Sequence, residues 1–141
     1  MCLADLEGVL EIETLSFTTP WSRQSFLHEI LENERAVYLV YKENDKVAGY
    51  IGMWVVLDEG HITNLAIHPA YRQRGFGRSL IEHLEDEGRK RGVRHLTLEV
   101  RKTNMPAQNL YRNMGFTSVG VRRQYYLDNK EDAIIMWKGP I

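Results

Sequence analysis

Apolar positions along the chain change their period several times, and each change marks a new element. Leu6, Val9 and Leu10 fall at helical spacing with Glu13 on the same stripe and Asp5 near the start, which predicts a helix over Leu3 to Leu15. The stretch Phe17 to Ser22 interrupts it: Pro20 disfavours helix before it, and Ser22 can cap the next helix. That second helix spans Arg23 to about Glu34, with Phe26, Leu27, Ile30 and Leu31 on one face. Ala36 to Lys42 is rich in β-formers and leads into the polar turn Glu43-Asn44-Asp45-Lys46, so it predicts a hairpin with Val47 to Leu57. Gly49 and Gly52 interrupt that second strand, which points to a bulge or a close neighbour.

A third strand, His61 to Ile67, ends at a basic, glycine-bearing turn. Beyond it Phe76, Leu80 and Leu84 recur every four residues and predict a helix that Gly92 stops. From His95 to Arg101 the period returns to two, with Leu96, Leu98 and Val100 on one face and Thr97 and Glu99 on the other. Asn104 to Asn113 carries Ala107, Leu110, Tyr111 and Met114 as one helical stripe ended by Gly115. Thr117 to Tyr126 and Asp132 to Lys138 complete a final hairpin. The order α-α-β-β-β-α-β-α-β-β describes an α/β fold: a mixed, mostly antiparallel sheet with helices on both faces. No repeat or linker divides it, so residues 1–141 read as one domain.

Composition excludes more than it selects. The chain is 43% hydrophobic and 26% charged, with a net charge of −1, so no global field recruits nucleic acid or an anionic membrane. Arg89-Lys90-Arg91 stands where a helix ends and complements its dipole. The one cysteine, Cys2, has no internal disulfide partner, and no Cys/His group has zinc spacing. Asp58, Glu59 and His61 are three ligand types close together, but an acidic turn at a strand end accounts for them. No metal is expected. No apolar run approaches the length of a membrane span and no signal peptide is evident, which makes a cytoplasmic location the default.

The turn Arg72-Gln73-Arg74-Gly75-Phe76-Gly77 lies between a strand and a helix. Such a turn aims free N–H groups and the positive end of a helix dipole at one spot, which suits a phosphate or pyrophosphate. It is neither a Walker loop, since Arg78-Ser79 follows Gly77, nor a dinucleotide fingerprint, since the third glycine position is Leu80. Alone, the hexapeptide reads equally as a basic surface turn. Arg-x-x-Gly-x-Gly in this setting resembles the acyl-CoA pyrophosphate loop of the GNAT superfamily of N-acyltransferases, and the element order is similar to that fold over nearly the whole chain. Members open with an edge strand before the first helix; this chain begins at the helix, so either that strand is absent or the start codon lies upstream.

The resemblance implies acetyl-CoA as co-substrate, with Arg72, Gln73, Arg74, Gly75, Phe76, Gly77, Arg78 and Ser79 as its phosphate anchor. It implies that the backbone of Leu65, Ala66 and Ile67 holds the pantetheine arm and thioester carbonyl, and that Asn104 contacts the cofactor. On the residues alone, Glu99 is either a partnered structural charge, with Arg101 or Arg122, or a general base whose pKa burial would raise. Tyr111 is either a core tyrosine or an acid for a departing thiolate.

Further segments resemble the RimI-type ribosomal-protein alanine N-acetyltransferases: Leu98-Glu99-Val100-Arg101-Lys102-Thr103-Asn104, Ala107 to Phe116, Pro20-Trp21-Ser22, Gly49 to Gly52, Asp58 to Ile62, and Tyr125-Tyr126 with Asp132-Ala133. The likeness covers about residues 3 to 138. It implies that Glu99 is the proton acceptor and Tyr111 the proton donor in direct acetyl transfer to a protein N-terminal alanine. No covalent intermediate is expected, because Cys2 is far from these motifs. A substrate groove is expected along Pro20-Trp21, the Asp58-Glu59 turn and Tyr125-Tyr126, with Trp21, Glu59 and Tyr125 as the contacts. The implied partner is a protein N-terminus, of a ribosomal protein, with no direct nucleic acid and no membrane; oligomeric state is left open. The nearest rivals are a broader N-terminal or lysine acetyltransferase and a non-catalytic acyl-CoA-binding module, which would not need both Glu99 and Tyr111.

Overall fold

The computed structural model describes residues 1–141. One turn of 3-10 helix at Leu3–Asp5 leads into α1 (Leu6–Ser16), and α2 (Arg23–Leu31) comes next. Ser22 caps α2, its hydroxyl oxygen accepting the Ser25 N–H at 3.1 Å. The helix ends at Leu31 rather than Glu34, because Asn33 turns the chain: its carboxamide oxygen accepts the Arg35 N–H at 3.0 Å.

Strands β1 (Ala36–Glu43) and β2 (Lys46–Val56) form the first hairpin. Its turn is tighter than the four polar residues suggest. Glu43 and Lys46 pair as the last rung, and Asn44 and Asp45 alone make the turn, at φ of 51° and 66°. Two-residue hairpin turns need that left-handed conformation, and Asn and Asp tolerate it. The chain continues through β3 (Glu59–Ile67), α3 (Phe76–Lys90), β4 (His95–Arg101), α4 (Met105–Asn113), β5 (Thr117–Arg122) and β6 (Ala133–Lys138). β5 stops at Arg122, short of Tyr126. Arg122 and Ala133 are its last rung, and Gln124 then turns at φ 51° with its N–H on the Asp132 carboxylate at 2.9 Å.

The six strands are ordered β1-β2-β3-β4-β6-β5. All neighbours are antiparallel except β3 and β4, which run parallel over three pairs, from Glu59–His95 to His61–Thr97. Beyond His61 and Thr97 the two strands part, and the gap between them is the feature that positions the site. Helices α3 and α4 cover one face of the sheet: Leu80, Ile81, Leu84 and Tyr111 pack there on Leu96, Leu98 and Val100. On the other face Leu6, Val9 and Ile12 of α1 and Phe26 of α2 pack on Tyr38, Tyr50 and Ala66.

Strict alternation would send Ile62 and Ala66 to one face, yet Ile62 joins the α3 side and Ala66 the α1 side. The cause is a bulge. The β2–β3 register steps from Gly52–Asn64 to Met53–Ile62, leaving Thr63 without a partner. Gly52 sits at that step because a Cβ there would stand 2.3 Å from the Tyr38 ring. On the outer edge of β1 the Met1 ammonium donates to the Tyr38 carbonyl at 2.8 Å. No helix is long and apolar enough to cross a membrane.

Candidate active site

Two cavities flank the place where β3 and β4 part. The first, about 630 Å³, is lined by Leu65, Ala66 and Ile67 of β3, by Arg72, Gln73, Gly75, Phe76, Gly77 and Arg78, and by Asn104 and Tyr111 across from them. Gln73 and Gly75 take left-handed φ of 62° and 81°, which turns the chain from strand into α3. The first internal bond of α3 runs from the Ser79 N–H to the Gly75 carbonyl at 3.1 Å. The N–H groups of Phe76, Gly77 and Arg78 precede it and have no helical acceptor. Free N–H groups at the positive end of a helix suit an anion. Gly77 keeps the approach open, since a Cβ there would stand 3.2 Å from Leu110 Cδ2.

Two residues expected at the anchor lie elsewhere. The Arg74 guanidinium turns away, donating to both oxygens of Glu43 at 2.9 and 2.8 Å and resting 5.1 Å from the Phe76 ring centre. Ser79 is one turn into α3, outside the lining, with its N–H already spent in the helix. Arg72 does line the cavity, but its Nε donates to the Ile67 carbonyl at 3.1 Å, so it braces the strand end. Asn104 caps α4, accepting the Ala107 N–H at 3.2 Å.

The second cavity, about 360 Å³, includes Glu13, Trp21, Asn64, Glu99, Arg101 and Tyr126 in its lining. It shares Ser16, Phe17, Leu65, Asn104, Ala107 and Tyr111 with the first. Tyr111 therefore stands at the junction, on the apolar stripe of α4. Burial pushes its phenol well above the usual value of 10.0, so it remains an O–H donor at any working pH.

Glu99 is mostly buried, at 10% side-chain exposure. Desolvation alone would raise its pKa, which was the expectation from sequence, but the carboxyl is held below its ordinary value of 4.5. The hydrogen bond from His61, Nε2 to Oε2 at 2.6 Å, outweighs burial, and Arg122 adds to it with Nε 3.1 Å from Oε1. Arg101, the other candidate partner, instead engages Asp128 and Glu131 and lies 4.0 Å over the Tyr126 ring. Tyr126 is thereby fixed in the cavity wall, its phenol pushed up to about 12 mainly by burial.

Of the expected substrate contacts, Trp21 lines the second cavity, while Glu59 and Tyr125 line neither. Glu59 opens β3 and pairs with Val56 and His95, at the far end of the strand from the gap. Tyr125 misses the cavity because β5 ends before it; its ring packs on Tyr126 at 5.1 Å. Sequence reasoning missed Glu13 and His61 as site residues. Glu13 was legible as the one carboxylate on the apolar stripe of α1. It is 2% exposed, accepts the Trp21 N–H at 2.7 Å and the Tyr50 hydroxyl, and so fixes the entry to α2. His61 carried no local signal, because its partner is far along the chain. It turns to Glu99 and away from the Asp58 turn.

The arrangement offers an anion anchor, an open strand edge leading inward, a phenol at the junction and a carboxylate on the far side. That suits passing a group from a long, phosphate-anchored carrier to an acceptor in the second cavity. Comparison with known proteins agrees. The model of the acetyltransferase (GNAT) family matches residues 6–116. A candidate [ribosomal protein bS18]-alanine N-acetyltransferase of Bacillus subtilis is 47% identical over 137 residues, covering 97% of this chain and 91% of that protein. The Escherichia coli (strain K12) [ribosomal protein bS18]-alanine N-acetyltransferase is 42% identical over 134 residues, 94% of this chain and 89% of its own. The crystal structure of the ribosomal-protein-S18-alanine N-acetyltransferase from Escherichia coli superposes with a TM-score of 0.89 at 40% identity, covering 99% of this chain and 90% of that one. With its mostly antiparallel six-stranded sheet, its glycine anchor and these relatives along its length, the chain belongs to the GNAT family of acetyl-CoA-dependent N-acetyltransferases.

Proposed function

We propose that this chain acetylates the α-amino group of the N-terminal alanine of ribosomal protein bS18, acting as a single 141-residue domain in the cytoplasm. The observation that carries the reading is Tyr111 at the junction of two cavities, with the anchor loop on one side and Glu99 on the other. Likeness over nearly the whole chain to proteins bearing that activity in their names supports the substrate.

In this reading the pyrophosphate of acetyl-CoA rests on the N–H groups of Phe76, Gly77 and Arg78. The arm runs along Leu65 to Ile67, and the thioester reaches the junction. The peptide ammonium enters past Trp21 and Tyr126 and loses a proton to the Glu99 carboxylate. The free amine attacks the thioester carbon; the C–N bond forms, the C–S bond breaks, and the amine's second proton ends on the departing CoA sulphur. Tyr111 meets the charge that develops on sulphur. Because its pKa is raised, it acts chiefly as a hydrogen-bond donor to that sulphur, and any phenolate is short-lived.

The amine class derives from the base. An α-amine has a pKa near 8 and a lysine amine near 10.4, so a carboxylate of lowered pKa frees the first far more readily. Incubation with acetyl-CoA and a peptide bearing a free N-terminal alanine and an internal lysine, read by mass spectrometry, tests this. Acetyl groups mainly on lysine would overturn the substrate while leaving the family intact.

A further inference from the structure

We infer that Asn64 selects for α-amines: its carboxamide nitrogen donates a hydrogen bond to the carbonyl oxygen of the acceptor's first residue. That carbonyl stands beside every peptide α-amine and is missing beside a lysine ε-amine. The inference rests on the reading of this chain as an N-terminal acetyltransferase, and adds a residue that recognises the acceptor.

Asn64 is only 7% exposed and lines the second cavity together with Glu99. Its oxygen accepts the Thr63 hydroxyl at 2.6 Å, which fixes the amide plane. Its nitrogen has no partner in the protein and is not sealed in, so it opens on the cavity. Buried amides are as a rule fully paired, because a donor left unpaired away from water is costly. A free N–H pair on a cavity wall is therefore a place for an acceptor oxygen. Three charged groups of the same cavity are committed elsewhere: Arg101 to Asp128 and Glu131, Glu99 to His61 and Arg122, and Glu13 to Trp21 and Tyr50.

The backbone aims the amide. The unpaired residue of the β3 bulge, Thr63, puts Asn64 on the face of Ala66, toward α1, and off the face of Ile62, toward α3. Without the bulge the carboxamide would enter the α3 core. Asn64 directly precedes Leu65, which lines both cavities where the thioester is proposed to sit. An amine delivered there from a peptide N-terminus brings its own carbonyl, bonded to the carbon that bears the amine. A lysine brings only methylenes and leaves the Asn64 donors unpaired. A site built around a hydrogen bond discriminates against an acceptor that lacks the partner.

The test compares three acceptors of otherwise identical sequence with N-terminal alanine: the peptide, an analogue with the first amide replaced by an ester, which keeps the carbonyl, and one with it replaced by a trans-alkene, which removes it. Wild type should use the first two comparably and the alkene with kcat/KM about tenfold lower, the worth of one neutral hydrogen bond. Asn64→Leu should lose about tenfold on the peptide, change little on the alkene, and so lose the preference for a carbonyl. Acetyl-CoA affinity in calorimetry should be unchanged, which also reports that the variant is folded. Asn64→Ser, whose hydroxyl is too short to reach and needs no added space, carries the same expectation if the leucine variant does not fold. A wild type indifferent to the alkene, or an Asn64 variant that keeps the full carbonyl preference, overturns the assignment. Failure of the substrate reading is distinguishable: acetylation of lysine over the free α-amine removes that reading and this role together, whereas α-acetylation with no carbonyl preference removes Asn64 alone.

Discussion

Replacing Arg122 with Met removes the cation beside Glu99 while keeping a side chain of similar reach. At the observed 3.1 Å, Coulomb's law gives about 1.3 kcal/mol in a water-like medium and about 5 kcal/mol at an effective dielectric constant of 20. Arg122 is 55% exposed, so solvent screening holds the interaction near the lower figure. In Arg122→Met the Glu99 carboxyl should therefore titrate higher than in the wild type, with the His61 bond intact and still its main depressing partner. A carboxyl whose folded pKa lies below its unfolded value contributes fully above the unfolded value, 4.5 here, and loses that contribution as pH falls through the folded value. The variant should be less stable than wild type by about 1 kcal/mol at pH 7, with the gap closing in more acidic solution. Carbon-13 NMR titration of the Glu99 carboxyl and urea unfolding at two pH values read both quantities. A midpoint that stays put or moves down, or a stability gap that widens in acid, would refute the reasoning.

Three further outcomes are expected. Gly75→Val and Gly77→Val should each weaken CoA binding at least about tenfold in calorimetry, the first through its φ of 81° and the second by crowding Leu110, while Gln73→Ala changes it little; unchanged binding in both glycine variants would remove the anchor. Glu99→Gln and Tyr111→Phe should each cut kcat by about 10²–10⁴ with CoA affinity preserved, and full turnover by either variant in steady-state assays would strip that residue of its role. Leu84→Ala, at a fully buried position of α3, should cost about 2–5 kcal/mol in denaturant unfolding, and a loss under about 1 kcal/mol would mean the α3 core is looser than its burial indicates.

Periodicity revealed the element order because most of the helices and strands bury one face, and Leu96, Leu98 and Val100 announce that face directly. It failed where backbone geometry overrode the pattern. The bulge at Thr63 reverses the phase of β3; the glycines of β2 pointed to an irregularity or a close neighbour, but no residue type in β3 itself placed it. The end of β5 at Arg122 rotated Tyr125 out of the wall and left Tyr126 in it, because the Arg101–Asp128–Glu131 group gathers the adjoining loop from outside the strand. The strand-to-helix turn with its left-handed Gly75 was legible, since glycine spacing is a local property, but the turning away of Arg74 toward Glu43 was not. The electrostatics of Glu99 were not: a carboxylate on a strand advertises its own burial, but its partners His61 and Arg122 reach it only through tertiary pairing.

The shared wall of the two cavities has a kinetic consequence. In the proposed reading each reactant has its own doorway, and the two linings share Ser16, Phe17, Leu65, Asn104, Ala107 and Tyr111. Spent CoA occupies the entrance that the next acetyl-CoA needs, but leaves the peptide's entrance free. CoA should then compete with acetyl-CoA and not with peptide, and neither product must wait for the other to leave. In that reading a single encounter of both reactants suffices; the one cysteine, Cys2, lines neither chamber. A molecule that joins a CoA head to an alanyl tail would pass through both doorways at once, and the doorways' separate walls would each add to its hold.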